Sequence, residues 1–183
     1  RRPMSYHMEY GYSCMGYEIA GGMGMKMADP DRDVVVMLGD GSYMMMNSEL
    51  ATAVMMGIKI TVVITDNRGF GCINRLQRST GGAEFNNLLD HAHHVNPSQI
   101  DFVAHAASMG AHAEKAGSIA ELEDALVRAR EAERPFVIVI DTDPYPSTEA
   151  GGHWWDVAVP EVSDREQVRR AREKYEAALK ERN

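Results

Sequence analysis

The stretch VVVMLGDGS, Val34–Ser42, decides the fold because a β-branched apolar run ends there in a polar, glycine-rich turn. A second apolar run, Ile60–Ile64, stops just before Asp66-Asn67-Arg68-Gly69. Runs of this kind predict strands that are buried in a parallel sheet. Ligands bind beyond the carboxyl ends of such strands, so Asp40 and Asn67, 27 residues apart, are predicted to lie at a ligand site.

The polar residues after both runs suit a magnesium ion that is bound to a phosphate. Carboxylate, amide and backbone carbonyl oxygens are hard ligands, and Mg²⁺ keeps its remaining positions for water and phosphate oxygens. The glycines around Asp40 allow the backbone to approach a phosphate closely. A helix that we expect to begin after Ser42 would aim its first amides at the same anion.

The Gly-Asp-Gly motif, followed at this spacing by Asn, resembles the metal-diphosphate signature of thiamine-diphosphate enzymes. The resemblance implies thiamine diphosphate and Mg²⁺ as cofactors, with Asp40, Asn67 and the backbone carbonyl of Gly69 as metal ligands. The family usually has Asn where this chain has Asp66, which is not a direct ligand. The cofactor-binding residues that the resemblance implies are Ser13, Met15, Gly39, Asp40, Gly41, Ser42, Asn67, Gly69 and Gly71.

The segment Ser13-Cys14-Met15-Gly16 is similar to the part of these enzymes that bends the cofactor. The resemblance implies that Met15 supports the bent cofactor and that the carbonyl of Ser13 accepts a hydrogen bond from its 4′-amino group. The family's catalytic glutamate belongs to a pyrimidine-binding domain that we expect outside this chain. The catalytic residues of the chain itself therefore stay unassigned.

Residues outside the cofactor motifs resemble one subgroup, the trihydroxycyclohexane-1,2-dione hydrolases of bacterial myo-inositol breakdown. The similar stretches are Tyr6–Glu18, Gly69–Asn74 and Trp154-Trp155. The resemblance implies an enzyme that hydrolyses a C–C bond and opens a cyclic polyol dione. The candidates for orienting the polyol ring are His7, Glu9, Tyr10 and Tyr12, although a surface strand with alternating polar residues would look similar.

The resemblance covers nearly the whole chain, but only as the last third of such an enzyme. The chain also begins with Arg1-Arg2-Pro3 and no initiator Met. We therefore expect a fragment that is inactive alone and that works with the pyrimidine-binding and middle domains of the same enzyme. The family resemblance further implies a homo-oligomer, with a dimer as the simplest form.

Two other functions remain open at the level of sequence. One is a carboligase similar to acetolactate synthase, which would consume pyruvate. The other is a non-catalytic α/β module that binds Mg²⁺ and phosphate without thiamine. An upstream domain with an isolated glutamate would exclude the module, and assays with pyruvate and with the cyclic dione would separate the two enzymes.

The bulk properties of the 183 residues exclude several partners. The net charge of −8 argues against nucleic acid and against anionic membrane surfaces. No apolar run approaches the length of a membrane span. Cys14 and Cys72 lie in segments that we expect to face the core or the site, and without a disulfide framework they indicate a cytoplasmic protein.

Alternating helical and strand patterns predict a three-layer α/β/α sandwich with a mainly parallel sheet, the fold that binds thiamine diphosphate in the family. We expect this domain to cover residues 1–160 and a charged surface helix to cover 161–183.

Ser118 with Glu121 predicts a capping box. The 13 methionines are interpreted as packing residues that fill irregular cores and pockets, apart from Met15. Other predicted elements are an apolar helix stripe of Met15, Ile19, Met23 and Met27, helices over 49–56 and 101–109, a strand over 136–140 and a terminal seam of Val168, Ala171, Tyr175 and Ala178.

The stretch Arg78–Pro97 shows no periodicity, and we expect it to form a mobile lid with few anchors. Its histidines, His91, His93 and His94, do not have a zinc spacing and fit a solvated polar loop better than a metal site. Trp154 and Trp155 fit core or interface packing as well as a substrate wall.

Overall fold

A computed structural model describes residues 5–8, 14–97, 99–146 and 158–182 of the chain. Within these ranges there are four strands and seven α-helices, with a 3₁₀ turn at Leu89–His91. The strands are β1 Val35–Gly39, β2 Thr61–Asp66, β3 His112–Ala116 and β4 Phe136–Asp141. The helices are α1 Glu18–Ala28, α2 Asp40–Met45, α3 Ser48–Met55, α4 Gly71–Ser79, α5 Phe102–Ser108, α6 Ile119–Glu131 and α7 Glu166–Arg182. Of the described helices, none combines the length and the apolar character that crossing a bilayer requires.

The four strands form one parallel sheet in the order β1-β2-β4-β3. Gly39 pairs with Thr65, so β1 and β2 end at the same edge of the sheet. The Thr65 hydroxyl donates to the Leu38 carbonyl at 3.1 Å, which adds a side-chain bond between these two strands. The predicted parallel strands are confirmed, with boundaries that shift by one or two residues.

Helices cover both faces of the sheet and form two apolar cores. One core joins β1, β2 and β4 to α1, α3 and α5, and includes Ile19, Leu50 and Phe102. The other joins β2, β3 and β4 to α6 through Ala125 and Ala129. Successive strand residues point to opposite faces, which is why neighbouring residues of β2 belong to different cores. The predicted three-layer α/β/α architecture is confirmed.

Strand β1 is less buried than its sequence predicts. Val36 and Leu38 are buried, but Val35 is 52% exposed and Met37 is 65% exposed. The reason is position: β1 is an edge strand, and α6, which covers that face of the sheet, packs on the other three strands. The apolar run therefore predicts the strand correctly, but the strand is buried on only one of its two faces.

The chain divides into two compact units. The first comprises Arg1–Asp66 and Gln99–Asp141 and contains the whole sheet. The second comprises Asn67–Ser98 and Thr142–Asn183 and contains α4, the 3₁₀ turn and α7. In α7 the predicted apolar seam is confirmed, since Val168 is buried and the seam's other members are half-buried.

Two elements escaped prediction because their sequences lack an apolar pattern. Strand β3 has the sequence HAEKA, lies at the edge of the sheet, and buries only Ala116 fully. Helix α4 begins with glycine, and its buried residues are Gly71 and Asn74. Neither residue type marks the buried face of a helix in a sequence.

Most of the described methionines do not pack in the core, although packing in cores and pockets is the prediction for them. Met23 is buried, but the predicted stripe of α1 fails at its ends because α1 begins only at Glu18 and Met27 is exposed. Other exposed methionines lie on the edge strand and around α2 and α3, namely Met37, Met44, Met45, Met46, Met55 and Met56. Cys14 and Cys72 are also exposed, so their side chains do not face the core.

The predicted capping box at α6 forms with one change of partner. The Ser118 hydroxyl accepts from the Glu121 amide at 3.2 Å, as expected for an N-cap. The Glu121 carboxylate accepts from the Gly117 amide at 2.8 Å, one residue before the amide that a capping box uses.

Candidate functional site

The GDGS turn lies at the carboxyl end of β1, and helix α2 begins within it at Asp40. The prediction that the helix begins after Ser42 is wrong, because the extended conformation ends at Gly39, which caps the helix. An acidic residue in the first turn is favoured by the helix dipole, so Asp40 suits the first position of α2. Asp40 is 6% exposed and Ser42 is 5% exposed, so the turn places two polar side chains inside the protein.

Ser42 joins this turn to the segment that contains Met15. Its hydroxyl donates to Oε1 of Glu18 at 2.6 Å and accepts from the Gly16 amide at 3.3 Å. Gly16 has φ +91°, and a Cβ at this position would lie 3.1 Å from the Met45 Cβ. Glycine is required there because a side chain would be strained and crowded. The half-buried Met15 is therefore held beside α2, whereas Ser13 lies outside the described residues.

Tyr43 secures the other side of α2. It is fully buried, its hydroxyl lies 3.0 Å from Nδ1 of His105, and its ring meets Phe102 edge-on with centroids 5.7 Å apart. Burial raises the pKa of Tyr43 to about 12, because the interior disfavours the phenolate. The contacts fix α2 against α5, and sequence analysis missed them because Tyr43 and His105 are distant in the chain.

Asn67, Gly69 and Gly71 lie together at the start of the second unit. Oδ1 of Asn67 accepts from the Gly71 amide at 3.2 Å, and a Cβ on Gly71 would lie 3.0 Å from the Asn67 Cγ. Arg68 has φ +60° and Gly69 has φ +143°, so the backbone turns sharply between them. This turn fixes the direction of the Asn67 side chain, and it depends on glycine at positions 69 and 71.

The stretch after α4 has more anchors than predicted. Gly69 and Leu88 form an antiparallel bridge, the Phe70 amide donates to the Asn87 carbonyl at 2.6 Å, and Leu88 is 3% exposed. The expectation of few anchors is wrong because backbone hydrogen bonds, which side-chain composition does not indicate, hold this part of the stretch. Whether the rest of it moves as a lid stays a prediction.

Glu84 is the centre of a polar cluster in the same unit. Its Oε1 accepts from Nδ2 of Asn74 at 3.3 Å and lies 3.4 Å from Nε of Arg78, and its Oε2 lies 3.5 Å from Nε2 of His91. The same His91 nitrogen lies 3.3 Å from the Tyr145 hydroxyl. Asn74 is completely buried. The sequence signal that could have indicated this cluster is Asn74, a polar residue near the start of the helix that follows the Asn67 motif.

The three histidines of this stretch have different environments. His91 is half-buried within the Glu84 cluster, so the prediction of a solvated loop is wrong for it. His93 and His94 are exposed, as that prediction states. Across the described ranges, no group of three or more His, Cys, Asp or Glu side chains is arranged to hold a metal ion.

The structure groups the predicted site residues by unit. Met15 and the residues of the GDGS turn come together in the first, and Asn67, Gly69 and Gly71 in the second. His7 is exposed, and with Met15 and Glu18 it lines a first-unit cavity of about 570 Å³. The candidates that lie outside the described residues are Glu9, Tyr10, Tyr12, Ser13, Trp154 and Trp155.

Comparison with known proteins identifies a family for most of the chain. Residues 1–140 match the family described as thiamine pyrophosphate enzyme, C-terminal TPP binding domain. The chain is 43% identical over 181 residues to a protein of Bacillus cereus named 3D-(3,5/4)-trihydroxycyclohexane-1,2-dione hydrolase 2. It is also 43% identical over 182 residues to a protein of Clostridium botulinum with the same name but no final numeral.

These alignments cover 94% and 96% of the chain but only 28% of either relative. Among solved structures, the thiamine diphosphate-dependent 4-hydroxybenzoylformate decarboxylase of Rhodococcus jostii RHA1 superimposes with a TM-score of 0.62. That superposition covers 70% of the chain and 23% of the decarboxylase at 24% identity, which supports the fold alone.

Proposed function

Because the chain belongs to the thiamine pyrophosphate enzymes, as their C-terminal TPP-binding domain, we propose that it binds the diphosphate and Mg²⁺ of thiamine diphosphate. The observation that carries this proposal is the buried carboxylate of Asp40 at the carboxyl end of β1, in a turn that Ser42 ties to Gly16. An aspartate carboxylate is a hard oxygen ligand of the kind that Mg²⁺ prefers, and the carboxyl end of a parallel strand is where ligands bind. The site therefore suits a metal ion.

Three residues would hold the Mg²⁺: Asp40 through its carboxylate, Asn67 through Oδ1, and Gly69 through its carbonyl. All three are oxygen donors of the kind that Mg²⁺ prefers. The Gly71 amide supports this role for Asn67, because its hydrogen bond holds Oδ1 in one direction. The positive φ of Gly69 supports its role, since it turns the backbone as few other residues can.

The diphosphate would lie against the amides of Gly41 and Ser42 in the first turn of α2. The Ser42 hydroxyl is already engaged with Glu18 and Gly16, which leaves the backbone as the phosphate-binding part of this residue. Gly39 supports the arrangement because it caps the helix without a side chain that would compete for the first amides. Met15, half-buried beside α2, would support the organic part of the cofactor.

Bound thiamine diphosphate would supply the electron sink that C–C bond cleavage requires. The residues of this chain would bind and orient the cofactor, and the chain would leave proton transfer to a glutamate of a pyrimidine-binding domain. We further propose that the full-length protein contains this domain and a middle domain and acts as a homodimer in the cytoplasm.

We propose trihydroxycyclohexane-1,2-dione as the substrate and myo-inositol catabolism as the setting. The support is the name of two relatives that are 43% identical across nearly the whole chain. His7 is the described candidate for contacting the polyol, because it is exposed and lines the same cavity as Met15. Its Nε2 lies 3.3 Å from the Tyr17 hydroxyl, which would orient the ring of His7.

The test is an activity assay of the full-length protein with thiamine diphosphate and Mg²⁺. We expect it to open the cyclic dione to an acid, to lose this activity when the metal is chelated, and to leave pyruvate unchanged. Consumption of pyruvate in place of the dione would instead identify a carboligase. Turnover that needs neither thiamine diphosphate nor Mg²⁺ would contradict the proposal.

A further inference from the structure

The Glu18 carboxylate uses only one of its two oxygens. Oε1 accepts the short hydrogen bond from the Ser42 hydroxyl at 2.6 Å. Oε2 is shielded from solvent and has no hydrogen-bond partner among the residues that the structure describes. A polar oxygen in that position is costly to keep, because its water of hydration is lost and no described residue replaces it. Its donor is therefore expected to come from a bound ligand.

The orientation of this carboxylate is set by the protein before any ligand binds. Ser42 holds Oε1, and the Gly16 amide in turn donates to Ser42. Gly16 lies close to Met45, since a Cβ added at Gly16 would be 3.1 Å from the Met45 Cβ. Such preorganisation reduces the entropy that binding would otherwise cost, which is a property of binding sites.

The surroundings of Glu18 define the kind of group that Oε2 would accept from. Asp40, a second buried acid, lies two residues before Ser42 on α2. Phosphate oxygens cannot donate to a carboxylate and would be repelled by it. Arg32 lines the same cavity as Glu18, but its Nε already lies 3.1 Å from Asp29. Because Oε2 is a carboxylate oxygen, its missing partner is a hydrogen-bond donor.

We infer that Glu18 is a binding residue of the cofactor site, with Oε2 accepting a hydrogen bond from the bound cofactor–Mg²⁺ pair. This inference rests on the proposed function. Two sources share the required chemistry: a water molecule on the Mg²⁺, and an N–H group on the organic part of thiamine diphosphate. Glu18 and Met15 line the same cavity, from which either donor would approach this carboxylate.

The substitution Glu18→Gln separates binding from structural support. Its carbonyl oxygen keeps the hydrogen bond from Ser42, while an amide NH₂ takes the position of Oε2 and cannot accept. Glu121→Gln is the matched control, because Glu121 also accepts one local hydrogen bond but is exposed at the start of α6. Both variants are prepared in the full-length protein. Affinity is measured by titration calorimetry, and thermal unfolding is followed without ligand.

Thiamine diphosphate with Mg²⁺ is expected to bind Glu18→Gln about ten- to a hundredfold more weakly than the wild type, the usual effect of losing a hydrogen bond to a charged group. The unfolding temperature without ligand is expected to change little, because the variant keeps the hydrogen bond from Ser42 and replaces the carboxylate by an amide of the same shape. Glu121→Gln is expected to bind like the wild type. A variant that only weakened the fold would lose stability and affinity together.

A second titration, with Mg²⁺ and inorganic pyrophosphate, identifies the donor. Weakening of both ligands would assign it to the metal-bound water, and weakening of thiamine diphosphate alone would assign it to the organic part. Wild-type affinity for thiamine diphosphate in Glu18→Gln would overturn the inference, as would parallel losses of stability and affinity. A wild-type protein that bound no thiamine diphosphate would instead overturn the proposed function on which the inference rests.

Discussion

Gly69 and Leu88 form an isolated antiparallel bridge that joins the turn after Asn67 to the stretch beyond α4. The Leu89 amide extends this pairing by donating to the Arg68 carbonyl at 2.9 Å. A backbone that carries two of the proposed metal ligands is therefore supported by residues that lie beyond the next helix in the chain. The geometry of the loop depends on this pairing as well as on its own glycines.

Replacing Gly69 by Ala is expected to destabilise the protein by about 1–3 kcal/mol, because a side chain is strained at this backbone conformation. Its φ is +143°, and the new Cβ would lie 2.9 Å from the Leu88 Cα. The control is Gly24→Ala in α1, where a Cβ would meet nothing within 4 Å. That change is expected to be neutral or to stabilise by about 0.5–1 kcal/mol. Equal denaturation midpoints for the two variants would refute the strain that we expect from a side chain at position 69.

Amide exchange of the full-length protein tests the lid. The amides of Phe70 and Leu89 are hydrogen-bonded and are expected to be protected with or without cofactor. The exposed residues 93–97 are expected to exchange fast in the apoprotein and slowly once thiamine diphosphate and Mg²⁺ are bound. Ordering them costs about 1–2 kcal/mol per residue, which cofactor, substrate or other domains must offset. The same exchange rates with and without cofactor would show that residues 93–97 are a structural connector and not a lid.

Tyr43 predicts a loss of stability at alkaline pH. Folding raises the pKa of this phenol from 10.0 to about 12. Between these two pH values Tyr43 is therefore protonated in the folded protein but ionised in the unfolded chain. The contribution of Tyr43 to the free energy of unfolding is fully present below pH 10. It falls by about 3 kcal/mol in total as the pH rises from 10 to 12. Tyr43→Phe is expected to lose about 1 kcal/mol at neutral pH, from the bond to His105, and to show a flatter alkaline decline. Parallel pH profiles for the two proteins would show that Tyr43 does not titrate as stated.

Glu84→Ala is expected to destabilise the protein by about 1–3 kcal/mol, because it removes the acceptor for the fully buried Asn74 amide. Asp90→Ala is the matched control from the same stretch. Asp90 is exposed and lies 3.8 Å from Arg68, so its loss is expected to cost less than about 1 kcal/mol. Urea denaturation of both variants measures the loss in free energy of unfolding. A larger loss for Asp90→Ala than for Glu84→Ala would contradict this prediction.

The sequence predicted those parts of the fold that carry a periodic apolar signal or a local motif. Strands β1, β2 and β4 have long apolar runs, and the Ser118 cap has its partner three residues away. Strand β3 and α4 were missed because their pairing and burial depend on tertiary context.

The candidate site shows the same division. The positions of Asp40 and Asn67 at strand ends follow from the two apolar runs and from the spacing between the two polar motifs that follow them. The support for these residues is non-local: Ser42 bonds Glu18 across 24 positions, and Tyr43 bonds His105 across 62. No spacing rule connects such pairs, so only the folded chain reveals them.

The most direct test of the proposed cofactor site is the affinity of the full-length protein for thiamine diphosphate with Mg²⁺ after Asp40→Ala. Losing a charged metal ligand is expected to weaken binding by about a hundredfold or more, since a buried ionic interaction is removed. The matched control is Asp66→Asn at the end of β2, which introduces the residue that the family usually has there and is expected to bind like the wild type. Near-normal affinity in Asp40→Ala, with the fold intact, would contradict the assignment of this domain as the diphosphate and Mg²⁺ site.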